Sequence, residues 1–454
     1  MGAFRAGPGA AAAQALKPLS QPLPYADDPL ALFAPLADCE GAVLLHSADR
    51  STRFGRFDIM SAEPVETVAA AAAADVTQGL PCDLSHRVRA RYGAPDSNDQ
   101  EVPFRFGFLG VLGYPLHTGL ERQRPAPPSP DTLPDLWGGL YDWSIVTDHR
   151  ARQTHLYARD AAANQRARAL LQREPRRPAA FDLGQFRSSM PPGHYQAAFA
   201  QILDYIRAGD CYQVNFARHY QASLHGDPFD LYCHWLRSQP APFSAYLRHS
   251  ADAAVLCLSP ERFLKRQGNR VATCPIKGTR PRRQRAPQDA LAQLALLRSA
   301  KDRAENLMIV DLLRNDLGRR ARTGSVQVAH LCEPVAFANV HHLVSTIDAQ
   351  LPPQVSTGEL LAAMFPCGSV TGAPKIRAMD IINELEPIGR SVYCGAIGYL
   401  DASGDCDFNV AIRTATVDRG QVNLWGGGGI VADSQPASER AEIDSKIGRL
   451  LNQR

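Results

Sequence analysis

Apolar positions along this chain recur with two periods, and the change from one to the other marks its elements. Tyr195, Phe199, Ile202 and Ile206 stand three or four residues apart, which predicts a helix from His194 closed by Gly209. Strand character follows at once over 212–220, with further strands at 244–249 and 253–259 around a helix at 228–239. Upstream, Ala-Val-Leu-Leu-His-Ser and Arg-Phe-Asp-Ile-Met read as strands within 41–69, parted by a polar turn at 48–52. The alanine run 69–74 reads either as a helix or as a strand edge. Glycines punctuate an aromatic run at 104–114, which predicts close packing in a sheet. A proline-rich loop at 124–134 leads to a strand at 140–146, and Pro175 ends a charged helix over 165–174. The stretch up to Pro192 reads as a linker.

Beyond Cys274 the same reading predicts one long helix or two over 288–317. Strands follow at 326–331, 393–400, 408–417 and 421–425, with helices at 357–364, 374–384 and 437–451. Strands and helices mixed in this way predict an α/β (α+β) fold built on large, mostly antiparallel β-sheets.

Length and composition narrow the class. The chain has 454 residues, 45% hydrophobic and 21% charged, with a net charge of +3. That gives a large core and no electrostatic footprint for nucleic acid. Ten cysteines without a Cys-x-x-Cys pair indicate neither a zinc site nor a disulfide framework. Residues 1–20 are expected to be a flexible extension. No apolar run reaches the length of a membrane span, and a cytoplasmic protein is expected.

Candidate chemistry gathers in a few places. In Cys-Pro-Ile-Lys-Gly-Thr-Arg-Pro-Arg (274–282), Lys277 follows a β-branched run. Turned inward, its amine would be desolvated into a nucleophile; turned outward, it is one more charge in a basic loop. Asp302 and Glu305 share one helical face, and Glu439, Glu442 and Lys446 share another. Carboxylates from two helices with no histidine or cysteine beside them suit a hard cation such as Mg²⁺, unless they are surface charge pairs. The glycine run 426–429 is either an anion cradle or a tight hairpin. Gly-Ser-Val-Thr-Gly-Ala-Pro-Lys (368–375) lacks the Gly-Lys-Ser/Thr of a phosphate loop, which speaks against nucleotide binding. His341 and His342 are a core pair or a polar partner for a substrate hydroxyl.

Six segments in order carry a resemblance. They are Gly-Asp-Cys-Tyr-Gln-Val-Asn (209–215), Ser-Pro-Glu-Arg-Phe (259–263), Pro-Ile-Lys-Gly-Thr (275–279), the helix segment 301–316, segment 368–375, and Gly-Gly-Gly-Ile-Val-Ala-Asp-Ser (427–434). Together they resemble the chorismate-utilising enzymes: component I of anthranilate and aminodeoxychorismate synthases, with the isochorismate and salicylate synthases. The match covers essentially all of 194–454, and more loosely the N-terminal half. It implies an anthranilate synthase component I-like sandwich of sheets flanked by helices. The expected division is an N-terminal region at 21–180 and a chorismate-binding catalytic domain at 190–454.

Two positions select the branch. Isochorismate-forming relatives carry a water-activating lysine where this chain has Gln213. Anthranilate synthases carry alanine where it has Lys277, whereas the aminodeoxychorismate branch has lysine. The resemblance therefore implies amination of chorismate to 4-amino-4-deoxychorismate, in 4-aminobenzoate and folate biosynthesis, with anthranilate synthesis as the alternative. It implies Lys277 as the covalent nucleophile and Glu261 as general acid. Mg²⁺ would be held by Glu305 and Glu442, with Asp302 and Glu439 in supporting positions. Substrate contacts fall to Tyr393, Arg413, Gly428, Gly429 and Lys446, with His342, Ser369 and Gln213 as further polar positions. No Gly-x-Cys-x-Gly glutaminase elbow is present, so ammonia is expected from a separate glutamine amidotransferase subunit. Ser47, in Leu-Leu-His-Ser, is either a strand-end serine or part of a tryptophan site.

Overall fold

Two antiparallel sheets carry the fold, and each draws strands from both ends of the chain. The structure, a computed structural model, describes residues 18–70, 80–93, 102–120, 124–283 and 285–452. The larger sheet starts at Leu19–Leu23 and passes through Gln153–Ala158, Trp143–Asp148, Phe57–Ser61 and Val43–His46. It continues through Phe243–Arg248, Ala253–Ser259, Thr414–Asp418 and Gln421–Ile430 to Gln213–His225. The second sheet begins Ile276–Pro281, Val340–Gln350, Arg270–Cys274, Arg262–Gln267, Cys406–Val410 and Ala396–Asp401. It ends with Gly107–Leu112, Leu136–Tyr141 and Glu66–Ala70. The joints between early and late strands are antiparallel: Val43–His46 pairs with Phe243–Arg248, and Gly107–Leu112 with Ala396–Asp401.

The inner faces of the sheets meet through Val43, Ile59, Leu247 and Val255 on one side and Leu109, Val111, Ile397 and Tyr399 on the other. Helices cover the outer faces. His194–Arg207 and Pro228–Ser238 seat Phe199, Ile202 and Trp235 on the larger sheet. Ala300–Gly318 and Thr357–Met364 seat Ile309, Leu313 and Leu360 on the second. Strand Ala253–Ser259 is buried at every position because both of its faces are covered. Each large apolar side chain so enclosed contributes about 1.5–3 kcal/mol.

Several predicted elements change at places that matter for the site. The strand predicted at 408–417 breaks at Arg413, whose φ is 51°. Its two pieces, Cys406–Val410 and Thr414–Asp418, enter different sheets. The helical stretch 288–317 is two helices, Ala286–Arg298 and Ala300–Gly318, parted at Ser299, whose side chain accepts from Asp302 N at 3.2 Å and caps the second. The glycines 426–429 form no hairpin; they lie inside the strand Gln421–Ile430. His341 and His342 sit on a strand, Val340–Gln350, that the periodicity did not predict. The alanine run is strand up to Ala70, and its remainder lies outside the described residues. At Leu19 the chain is already in a strand, paired with Ala158. Nine cysteines are described, all as free thiols. Among the described residues no helix is long and apolar enough to cross a membrane.

Candidate active site

A cavity of about 410 Å³ opens where the strands Ile276–Pro281 and Gln421–Ile430 meet the helices Ala300–Gly318 and Pro436–Leu451 and the turn Gly368–Val370. Glu261, Lys277, Glu305, Arg413, Glu442 and Lys446 all line it.

Lys277 stands on an edge strand that bulges between Lys277, paired with Leu343, and Thr279, paired with His342. Gly278 makes the bulge with φ of 70°, and a Cβ there would lie 2.8 Å from Leu296 Cδ1 and 3.0 Å from Asp302 Cγ. A side chain at 278 would therefore be strained twice over, by conformation and by contact. Burial lowers the pKa of the Lys277 amine and Lys446 adds to the effect, against the pull of Glu305, Glu261 and Glu442.

Glu261 follows the buried strand Ala253–Ser259 and is 3% exposed. Its main chain is pinned: the N–H donates to Ser259 Oγ at 3.2 Å and the carbonyl accepts from Val410 at 3.0 Å. Oε1 has no partner among the described residues. Burial pushes the carboxyl pKa up to about 7, with Ser369 and Lys277 moderating the rise. A carboxylic acid that keeps its proton near neutrality beside a desolvated amine forms an acid–nucleophile pair.

The acidic faces of the two helices come together in the cavity. Helix Pro436–Leu451 lies directly on the glycine strand, where a Cβ at Gly426 would be 2.7 Å from Ile447 Cδ1. Glu439 is 3% exposed and accepts from Ser434 Oγ at 2.7 Å. Lys301 Nζ lies 3.4 Å from Glu439 and 3.8 Å from Glu305. Lys446 Nζ is 2.8 Å from Glu442 and donates to the Gly427 carbonyl at 3.2 Å. Burial raises the Glu305 pKa, and Glu442 and Glu439 reinforce it against Lys277 and Lys301. Lys446 holds that of Glu442 down. Asp302 lines the cavity too, but it accepts from Arg280 at 2.9 Å.

Among the described residues no three side chains form a ready-made metal cluster. Magnesium does not require one, because it binds one or two carboxylates and completes its shell with water and substrate oxygens. Glu305 and Glu442, all-oxygen donors that repel each other, fit such a cation.

Other walls are arranged for an anionic, hydroxylated ligand. The Arg413 guanidinium, half-buried, makes no hydrogen bond or ion pair among the described residues, and burial lowers its pKa to about 10. Tyr393 stacks on Trp425, ring centroids 6.1 Å apart, with its hydroxyl over Gly427. His342 Nδ1 lies 2.9 Å from the Gly278 carbonyl and 3.2 Å from Thr279 Oγ1, and Nε2 is buried without a partner among the described residues. Ser369 lines the cavity beside Glu261. Gly429 is in the lining whereas Gly428 is not; a Cβ at Gly428 would lie 3.3 Å from Glu439 Oε2 and 3.9 Å from Ile443 Cγ1. Gln213 lies outside the lining, fully buried behind Gly429, with both amide atoms unpartnered among the described residues.

Sequence reasoning missed Asn215 in the cavity wall, Lys301 between the acidic helices, and the buried pair Glu386–Arg390. The four-residue spacing of that last pair is a signal only once both are known to be buried.

A second cavity, about 310 Å³, contains Ser47. The Ser47 hydroxyl donates to the Phe57 carbonyl at 2.6 Å and its N–H to Asp58 at 2.7 Å. Arg262 in the same wall is paired with Asp407 at 2.8 Å.

Comparison with known proteins agrees with this geometry. Residues 41–452 match the family model described as chorismate binding enzyme. Aminodeoxychorismate synthase component 1 of Klebsiella aerogenes is 41% identical over 449 residues, covering 96% of this chain and 99% of that one. Anthranilate synthase component 1 of Pseudomonas aeruginosa is 35% identical, covering 92% and 91%. Among solved structures, anthranilate synthase component I from Streptococcus pneumoniae aligns with a TM-score of 0.75 at 29% identity, covering 87% of this chain and 92% of that one. The family match over 41–452, the near whole-length identity and the shared sheet architecture converge, and the chain belongs to the family of chorismate binding enzymes.

Proposed function

We propose that this enzyme aminates chorismate with ammonia to 4-amino-4-deoxychorismate, through a covalent bond between Lys277 and the substrate ring. The observation that carries the reading is the placement of a proton-retaining Glu261 and a desolvated Lys277 in one cavity with Arg413, whose guanidinium has no partner among the described residues. The Lys277 amine attacks C2, the ring double bonds shift, and the C4–O bond breaks as Glu261 gives its proton to the departing hydroxyl, which leaves as water. Ammonia then bonds to C4, the double bonds shift back, and the C2–nitrogen bond breaks to release Lys277. Arg413, with its two-pronged guanidinium, and Tyr393 hold the enolpyruvyl carboxylate. Lys446 and the Gly429 segment face the ring carboxylate, and His342 and Ser369 position hydroxyl groups.

Glu305 and Glu442 would hold Mg²⁺, with Glu439 braced behind them and Asp302 tied to Arg280. When bound, the cation would offset the negative charge of the ring carboxylate. Ammonia is supplied by a separate glutamine amidotransferase subunit; the relatives' name, component 1, supports a partner. All of these groups fall in 190–454, while 21–180 supplies the Ser47 side of the second cavity, where Ser47 is either part of a tryptophan site or a strand-end serine. We place the enzyme in the cytoplasm.

A product assay tests the reading: chorismate, Mg²⁺ and an ammonium salt at alkaline pH, with products separated by chromatography. A 4-amino-4-deoxychorismate peak is expected. Anthranilate as the main product would overturn the branch assigned from Lys277.

A further inference from the structure

Arg390 is 2% exposed, among the largest fully buried side chains of the protein, and charged. Its partner Glu386 follows helix Lys375–Leu385, and the two are joined twice, Nε to Oε2 at 2.9 Å and Nη2 to Oε1 at 2.6 Å. A buried ion pair is weak evidence for stability by itself, because desolvation offsets much of the attraction. What marks this one is where its other hydrogen bonds go. Nη1 donates to the Val370 carbonyl at 2.9 Å and Nη2 to the Asn215 carbonyl at 2.5 Å. Glu386 in turn accepts from the Ala217 N–H at 2.7 Å. Asn215 closes the loop: its Nδ2 donates to Val370 O at 3.0 Å and its N–H to Thr371 O at 2.8 Å. Asn215, Ser369 and Val370 all line the cavity, on two elements that no other charged side chain joins among the described residues.

We propose that Arg390, anchored by Glu386, is a positioning residue that locks the turn Gly368–Val370 to the strand Gln213–His225 and so holds Ser369 against Glu261. Arginine suits this task because its planar fork reaches Glu386 and two carbonyls at once, which a single ammonium cannot do. The inference rests on the reading of Glu261 as the acid that protonates the leaving hydroxyl.

The test compares Arg390→Lys, Ser369→Ala, their combination and Glu261→Gln as purified full chains, with chorismate, Mg²⁺ and ammonium. Arg390→Lys keeps a charge opposite Glu386 but loses the fork. Its kcat is expected to fall on the order of ten- to hundredfold, with chorismate KM changed by less than about threefold. Ser369→Ala is expected to lower kcat as well, and the combination to fall no further than the more damaged single variant. Multiplying losses, an unchanged kcat in Ser369→Ala, or a rise in KM alone would overturn the brace. If Arg390→Lys does not fold, Arg390→Met with Glu386→Gln, which removes both charges, is measured in the same way; failure of both to fold would make the pair a folding element only. Wild-type turnover in Glu261→Gln would overturn the acid assignment and the brace with it. A dead Glu261→Gln with multiplying losses would overturn the brace alone.

Discussion

His342 donates from Nδ1 to the Gly278 carbonyl, 2.9 Å away, with Thr279 Oγ1 at 3.2 Å from the same nitrogen, and so keeps Nε2, which has no partner among the described residues, as an acceptor on the strand paired with that of Lys277. The carbonyl only accepts, so the tautomer follows from the partner. Burial, with Arg413 adding to it, lowers the ring's pKa to about 3, which leaves it neutral throughout the working range. His342→Phe removes the acceptor for a substrate hydroxyl and is expected to raise chorismate KM about tenfold. Steady-state kinetics check this, and the wild-type pH profile above pH 5 should carry no limb that His342→Asn removes.

Glu261→Gln is expected to lower kcat by about 10²–10⁴ while chorismate still binds, as titration calorimetry would show. Stability should move the opposite way. The folded carboxyl titrates near 7 and the unfolded one near 4.5. Between those values the unfolded chain releases its proton first, so wild-type stability falls as pH rises through the window. Above pH 7 the ionised buried group costs on the order of 3 kcal/mol. The Gln variant lacks that loss, so thermal unfolding at pH 8 should favour it, with the gap closing near pH 4.5.

Lys277→Ala is expected to abolish most 4-amino-4-deoxychorismate formation. Direct attack by ammonia, as in anthranilate synthesis, is the route left open, so products of the variant should be compared by chromatography. In the wild type, mass spectrometry after acid quench without ammonia should find the mass of chorismate less one water on the peptide holding Lys277. Absence of any adduct on that peptide would remove the covalent step.

Metal removal gives a test with a physical readout. EDTA should abolish turnover, and Mg²⁺ should restore it. Mg²⁺ should also raise the melting temperature of the wild type through linkage. Glu442→Gln, which takes away one carboxylate and the partner of Lys446 at 2.8 Å, should lose that shift while remaining folded.

Much of this site is legible in the sequence because its parts come from short, regular elements. Helical spacing alone places Glu305 and Asp302 on one face and Glu439, Glu442 and Lys446 on another, and all five line the cavity. Where reading failed, long-range pairing had overridden a local signal. The glycines 426–429 look like a turn, yet pairing with Asn215–Arg218 keeps them extended. Arg413 interrupts an apparently continuous strand because its two halves serve different sheets. Gln213 has the identity that separates branches but not the place in the cavity wall expected of it. Arg390 could not be found at all, since nothing local tells a buried arginine from an exposed one.

Helix Pro436–Leu451 supplies Glu439, Glu442 and Lys446, and the glycine strand that receives it is also drawn from the last part of the sequence described. Three charged groups of the cavity wall therefore ride on a single helix, so anything that lifts this helix from the strand removes them together. A protease cut before Glu439 would take Glu439, Glu442 and Lys446 from the cavity at once, together with the apolar contacts that Ile443 and Ile447 make on the larger sheet.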